Sequence, residues 1–256
     1  MQKTVPYLRK EQIERDVAAL LTEYAQERDV VIAPPIPIED IVEKHLKLGI
    51  EFDDMHRLLR VPRSSVGADI LGAIWFDDRR IVIDESLDPE ENPSKEGRYR
   101  FTLAHEGGGH WRLHRHLFGN DPAQVSLFNE PASPSVICRS SQAKEPVEWQ
   151  ADFYASCLLM PRELVMPAWD EMFPDCKPRV LRPEMPIVHP YVEVEPMMDE
   201  FGQSYGGAAD ELVLESFARP FAKQFLVSPI AMRIRLEKLG LLHRVVPLQR
   251  ILVGGA

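Results

Sequence analysis

Ile13, Val17, Leu20, Leu21 and Tyr24 fall on one side of a helical wheel across residues 9–28 and predict an amphipathic helix. Pro34, Pro35 and Pro37 break it, and Ile38 to Leu48 predicts a second helix closed by Gly49 in the usual C-terminal glycine position. Ile50 to Phe52 predicts a strand, followed by a loop through Pro62 and Gly67. The runs Ile70–Phe76 and Ile81–Asp84 are β-branched and aromatic around a polar turn, which predicts a β-hairpin. Residues 88–97 form a polar loop. A longer polar insertion covers 119–146, carries four prolines and contains Val136-Ile-Cys-Arg-Ser-Ser141. Loops of that length inside a compact domain are commonly functional or mobile.

Beyond the insertion, the pattern becomes helical from Glu148 until Pro161, with Cys157, Leu158 and Met160 on its apolar side. A further helix is predicted through Met166 and Trp169 to Phe173. Six prolines between 174 and 196 predict an extended linker or wrapping arm. Leu212–Phe225 and Ser228–Leu239 predict two helices, the second with Ser228 as N-cap and Pro229 at its first helical position. No internal repeat is apparent.

Candidate chemistry is concentrated in Phe101-Thr-Leu-Ala-His-Glu-Gly-Gly-Gly-His-Trp111. Two histidines four apart on a helix can share one zinc, with a glutamate between them acting on water. Here His105 and His110 are five apart. Five residues turn an ideal α-helix by about 500°, leaving the second imidazole roughly 140° from the first. A one-residue π-bulge would reunite them, and Gly107, Gly108 and Gly109 are residues that accept such a distortion readily. In the later helix, Glu148 and Asp152 share one face, so a third ligand is available there.

Together the two segments resemble the ImmA/IrrE family of zinc metallopeptidases. That family reads roughly F-T-L-A-H-E-x-G-H-W-x-L-H, then E-x-x-A-(N/D)-x-F-A-x-x-L-L-M-P, and both halves are legible here in order. Aligned without a gap, Gly109 would replace the second histidine. With one residue skipped, His110, Trp111, Leu113 and His114 all fall into place. The resemblance implies zinc held by His105, His110 and Glu148, with Glu106 as general base. It further implies an α+β, zincin-like core in which a small sheet with a β-hairpin packs on two metal-bearing helices, followed by a C-terminal helical region. The expected domains are 1–172 (peptidase-like), 173–207 (proline-rich linker or arm) and 208–256 (helical).

Other residues admit two readings each. His114 is read as a hydrogen-bonded helix residue in preference to a competing ligand. Asp152 either holds a ligand histidine through its second nitrogen or caps locally. Arg139 is read as surface, with an oxyanion or carboxylate partner as the alternative. Gly72 and Ala73, in a hairpin strand expected to border the cleft, either pair with an extended substrate or serve only the sheet. Phe225 to Leu242 resembles the family's C-terminal signature and also a helix-turn-helix, with Arg233, Arg235 and Lys238 on its second helix. Packing is preferred there over DNA reading.

A chain of 256 residues with 45% hydrophobic content suits one large or two modest domains. The formal charge of −10 argues against broad nucleic-acid binding, whose affinity comes largely from phosphate attraction. Three widely spaced cysteines form neither a disulfide framework nor a zinc finger. No long apolar run and no signal-peptide core is present, so a soluble cytoplasmic protein without membrane partners is expected. By the resemblance its substrate is a helix-turn-helix repressor. The alternative is a catalytically silent relative that binds a repressor or DNA without cutting.

Overall fold

The computed structural model describes residues 5–62, 70–117, 134–139, 145–181 and 206–243. The chain divides into two compact units, Met1–Val165 with Gln224–Val227, and Met166–Lys223 with Ser228–Ala256. Among the described residues, no helix is long and apolar enough to cross a membrane.

The first unit is α+β. Helix α1 (Lys10–Arg28) buries Ile13, Val17, Leu20, Leu21 and Tyr24, the predicted stripe. The next helix differs from the sequence reading. A short α2 (Ile38–Asp40) passes into a π-helical turn, Ile41–His45, and ends at Leu46. The left-handed residue that follows is Lys47 (φ 59°), while Gly49 opens strand β1 (Gly49–Asp53). The wider turn exhausts the helix early, so the glycine is left for the strand.

Helix α3 (Met55–Leu58) occupies part of the predicted loop, because the Asp54 carboxylate accepts from the His56 and Arg57 amides and caps it. Strands β2 (Ile70–Trp75) and β3 (Arg80–Asp84) form the predicted antiparallel hairpin. Strand β4 (Val136–Arg139) comes from the insertion and pairs antiparallel with β2. The sheet order is β1-β3-β2-β4, with β1 parallel to β3. Both hairpin strands are therefore interior. Gly72 faces Ile83 on one side and Cys138 on the other, and Ala73 faces Val82 and Ile137. The backbones of Gly72 and Ala73 thus face strands of the same sheet on both sides, the sheet-serving reading of the two residues. Among the described residues the outer strand on that side is β4.

Helix α4 (Glu96–Leu103) runs on without a break into a π-helix, Ala104–His114. Helix α5 (Pro146–Leu159) lies against it. Arg112 and Tyr154 fasten both to α1. Arg112 Nε and Tyr154 Oη both donate to Asp16 Oδ1, at 3.2 and 2.9 Å, and Arg112 Nη1 reaches Glu23 at 3.0 Å.

The second unit is mainly helical. It takes in most of α6 (Arg162–Met172) and of α7 (Gly206–Phe225), with α8 (Pro229–Lys238) and the two-residue parallel strands β5 (Arg179–Val180) and β6 (Leu242–His243). Trp169 stacks on Phe221 at 5.6 Å, and Phe173 on Phe217 at 5.8 Å. The Ser228 hydroxyl caps α8 through the Ala231 amide. On α8, Arg233 and Arg235 are buried, and Arg233 pairs with Glu237 at 3.3 Å, which takes two of its three cations away from a phosphate-facing surface. Most of the proline-rich segment, 182–205, lies outside the described residues.

Candidate metal centre

The extra residue between the histidines is absorbed along eleven residues of π-helix and not in a one-residue bulge. With hydrogen bonds running from i to i+5, residues five apart stack on one face as residues four apart do in an α-helix. His105 and His110 consequently meet, with Nε2 atoms 3.0 Å apart and rings edge to face. The glycines serve the neighbouring elements more than their own backbone, since none of the three has a positive φ. A Cβ on Gly107 would lie 2.7 Å from Val42 Cγ2, one on Gly108 2.9 Å from Tyr154 Cε1, and one on Gly109 2.6 Å from Ala151 Cα. The three glycines let the π-helix seat directly on α5 and on the π-helical turn Ile41–His45.

Helix α5 supplies the third group. Glu148 Oε2 lies 3.2 Å from His105 Nε2, and Glu148 Oε1 lies 3.6 Å from His110 Nε2. The donor atoms of His105, His110 and Glu148 all lie within 4.8 Å of one another, and all three residues are buried. This group can hold a metal ion. One turn along α5, Asp152 Oδ1 sits 2.9 Å from His105 Nδ1 and orients that ring.

A second chain of contacts orients His110. Gln150 Nε2 donates to the Pro6 carbonyl at 2.8 Å, which leaves Gln150 Oε1 to accept from His114 Nε2 at 3.0 Å. His114 must then carry its proton on Nε2 and present a bare Nδ1 to His110 Nδ1, 3.0 Å away. His110 Nδ1 donates into that lone pair, so the free lone pair of His110 is on Nε2, toward His105 and Glu148. His114 thus stands behind a donor histidine, fully buried, and Gln150 fixes its tautomer.

Charge follows the same geometry. Burial lowers the pKa of His110 to about 4 against the pull of Glu148, and burial also lowers His114, so both are neutral. Burial acts the same way on His105, but Cys138, Asp152 and Glu148 outweigh it and raise His105 well above its ordinary value. Glu148 is held at about 2, its burial being overcome by hydrogen bonds to His105 and His110. Without a metal, the site therefore carries a proton on His105 Nε2, between the atoms that would ligate. Metal binding must expel it. At least one proton per metal should be released near neutral pH, one from His105 and a further share from Glu106 as it ionises to act as a base, and apparent affinity should rise with pH until both have lost their protons. Calorimetry in buffers of differing ionisation enthalpy measures this, and buffer-independent heats would contradict it.

Glu106 is fully buried, and neither carboxylate oxygen has a hydrogen-bond partner among the described residues. Burial pushes its pKa up to about 8. Two orphaned acceptors in the interior cost free energy on the order of 1–3 kcal/mol each. Such a group fits a site in which a cation and water complete the surroundings, and the donor set of two imidazoles and a carboxylate is one that zinc accepts.

Asp152 bonds the ligand and not the ion. Asp152→Ala should weaken metal binding 10–100-fold with the fold retained, a change that competition with a chromogenic chelator would measure. Unchanged affinity would reduce Asp152 to a local contact. Arg139 ends β4, but its side chain lies outside the described residues. Of the other histidines, His116 is exposed, His45 pairs with Glu27 and His189 is outside the described residues.

Two contributors escaped the sequence reading. Gln150 carries no motif signal. Cys138 shares close quarters with His105 and Glu106, and its only trace was the short Val136-Ile-Cys138 run, a strand signature inside what reads as loop. No known family's sequence profile matches this chain, and no curated protein matches it either.

Proposed function

We propose that the chain is a zinc-dependent endopeptidase of the ImmA/IrrE type, with a helix-turn-helix repressor as its protein substrate. The observation that carries the reading is the unpartnered, fully buried Glu106 carboxylate beside the converging His105, His110 and Glu148 donors. A zinc ion held by those three donors supplies Lewis acidity, polarising a carbonyl and bringing the pKa of water toward neutrality. His105 and His110 offer Nε2 lone pairs fixed by Asp152 and His114, while Glu148 offers a carboxylate. Glu106 takes a proton from the attacking water and returns it to the departing amine. The buried walls of the site keep bulk water from competing for these charges. The repressor substrate rests on the sequence resemblance, in both the metal-bearing and the C-terminal segments.

The test presents the zinc-loaded protein with a library of full-length helix-turn-helix proteins and maps new N-termini by mass spectrometry. Internal cleavage that chelation abolishes and zinc restores is the expected result. Stoichiometric zinc with binding but no cleavage would establish the catalytically silent alternative.

A further inference from the structure

Residues Val5–Leu8 belong to no helix or strand, yet they reach the metal centre through one side-chain amide. Gln150 Nε2 lies 2.8 Å from the Pro6 carbonyl, and Gln150 Oε1 lies 3.0 Å from His114 Nε2. Gln150 is buried, whereas Tyr7, next to the anchored carbonyl, is 77% exposed. The segment thus runs along the surface and is tied inward at Pro6. A carbonyl has no proton to give, so the Gln150 atom that faces it must be the amide nitrogen. Turning the carboxamide by half a turn would set two acceptor oxygens against each other at Pro6. At its other end the turned amide would suit His114 equally well, once His114 carried its proton on Nδ1.

From this arrangement we infer that Gln150 is a positioning residue with two settings, and that the Val5–Leu8 segment selects the setting that admits a metal. The inference rests on the metal reading above. With the segment docked, His114 accepts from His110 Nδ1 and the His110 Nε2 lone pair is free. With the segment withdrawn, the carboxamide can turn. The proton between the two Nδ1 atoms, 3.0 Å apart, then passes from His110 to His114. His114 Nε2 gives its proton to water and His110 Nε2 takes one up, so the number of protons is unchanged. In this second setting the Nε2–H groups of His105 and His110 each face one oxygen of Glu148, at 3.2 and 3.6 Å. Protons then occupy the place of the ion. A metal and the docked segment select the same setting, so each strengthens binding of the other by the same factor. Metal capture thereby depends on a stretch of chain that contains none of the ligands.

Three full-length proteins test this without reference to turnover: the wild type, Gln150→Met and Gln150→Glu. Methionine fills the space but bonds neither Pro6 nor His114, and zinc affinity by chelator competition should fall roughly 10–100-fold. Glutamate, charged or neutral, still accepts from His114 Nε2 and should restore most of that loss. Trypsin reads the segment itself. The bond after the exposed Arg9 is cut when the chain around it leaves its place, so zinc should slow that cut in the wild type and not in Gln150→Met. Equal loss of affinity in both variants reduces Gln150 to packing and overturns the inference. A cut that is indifferent to zinc in the wild type, a measurement that needs no variant, also overturns it and leaves the metal reading intact. Failure of the wild type to bind zinc stoichiometrically overturns both.

Discussion

Glu106→Gln should keep its metal and lose roughly 10²–10⁴-fold in turnover, the range of general acid–base assistance. The amide has the shape of the carboxylic acid but cannot take up a proton. Among the described residues its site contains no hydrogen bond to lose, because both oxygens of Glu106 are unpartnered there. Folding should therefore be unharmed. Metal-free Glu106→Gln should also lose the pH sensitivity that Glu106 brings. A carboxyl raised from its ordinary value to about 8 favours the folded state while it is protonated, and that advantage fades as pH climbs from the unfolded pKa toward 8. Metal content and cleavage rate, measured on one preparation, separate the two roles. Loss of metal in the variant would make Glu106 a ligand, and an unchanged rate would remove it from the chemistry.

Among the described glycines, Gly109→Ala should be the most damaging added methyl. The new Cβ would stand 2.6 Å from Ala151 Cα, 2.7 Å from its Cβ and 3.0 Å from its carbonyl oxygen. Two of those neighbours are backbone, so no rotamer change relieves the clash, and α5 must retreat. Overpacking of this kind costs typically 1–3 kcal/mol. The retreat also carries Glu148 and Asp152 away from His105, so metal affinity should fall together with melting temperature. Deleting Gly109 is expected to act in the opposite direction. It restores four-residue spacing, which a regular α-helix can serve, and it should retain the metal. Thermal melts and chelator competition on the two variants are the measurements. Tighter metal binding in Gly109→Ala would show that the close approach to Ala151 is not what sets the separation of the helices.

Legibility in the sequence followed the range of the interactions. The α1 stripe, the hairpin and the Ser228 cap depend on residues a few positions apart, and periodicity or turn chemistry reveals them. The grouping of His105, His110 and Glu148 was legible because helical faces are periodic and the motif residues are chemically distinctive. The manner of the grouping was not. A single bulge was expected where the backbone spreads the extra residue along Ala104–His114, since hydrogen-bond register is shared cooperatively with the neighbours of a helix. The glycines were read for backbone freedom, whereas their contacts are with Val42, Tyr154 and Ala151, which only tertiary structure brings near. For the same reason β4 was hidden. A four-residue strand inside a long polar insertion has too little alternation to announce itself, and its partner β2 lies more than sixty positions earlier.

The Pro6 carbonyl and the Gln150 amide, 144 residues apart in sequence, give the centre an order of assembly. Closing a loop of that length is entropically costly and must await the contacts that repay it. The π-helix and α5 pack on one another across a shorter separation, 47 residues between His105 and Asp152 and 36 between His114 and Gln150. Commitment of the His110 proton to Nδ1 requires, in addition, that the start of the chain has come home. A chain with every helix in place but its N-terminal segment adrift would have all three ligands and an undecided imidazole. The tautomer of one histidine is, in that sense, the last thing that folding writes, and high-affinity metal capture becomes a report that the whole unit has closed.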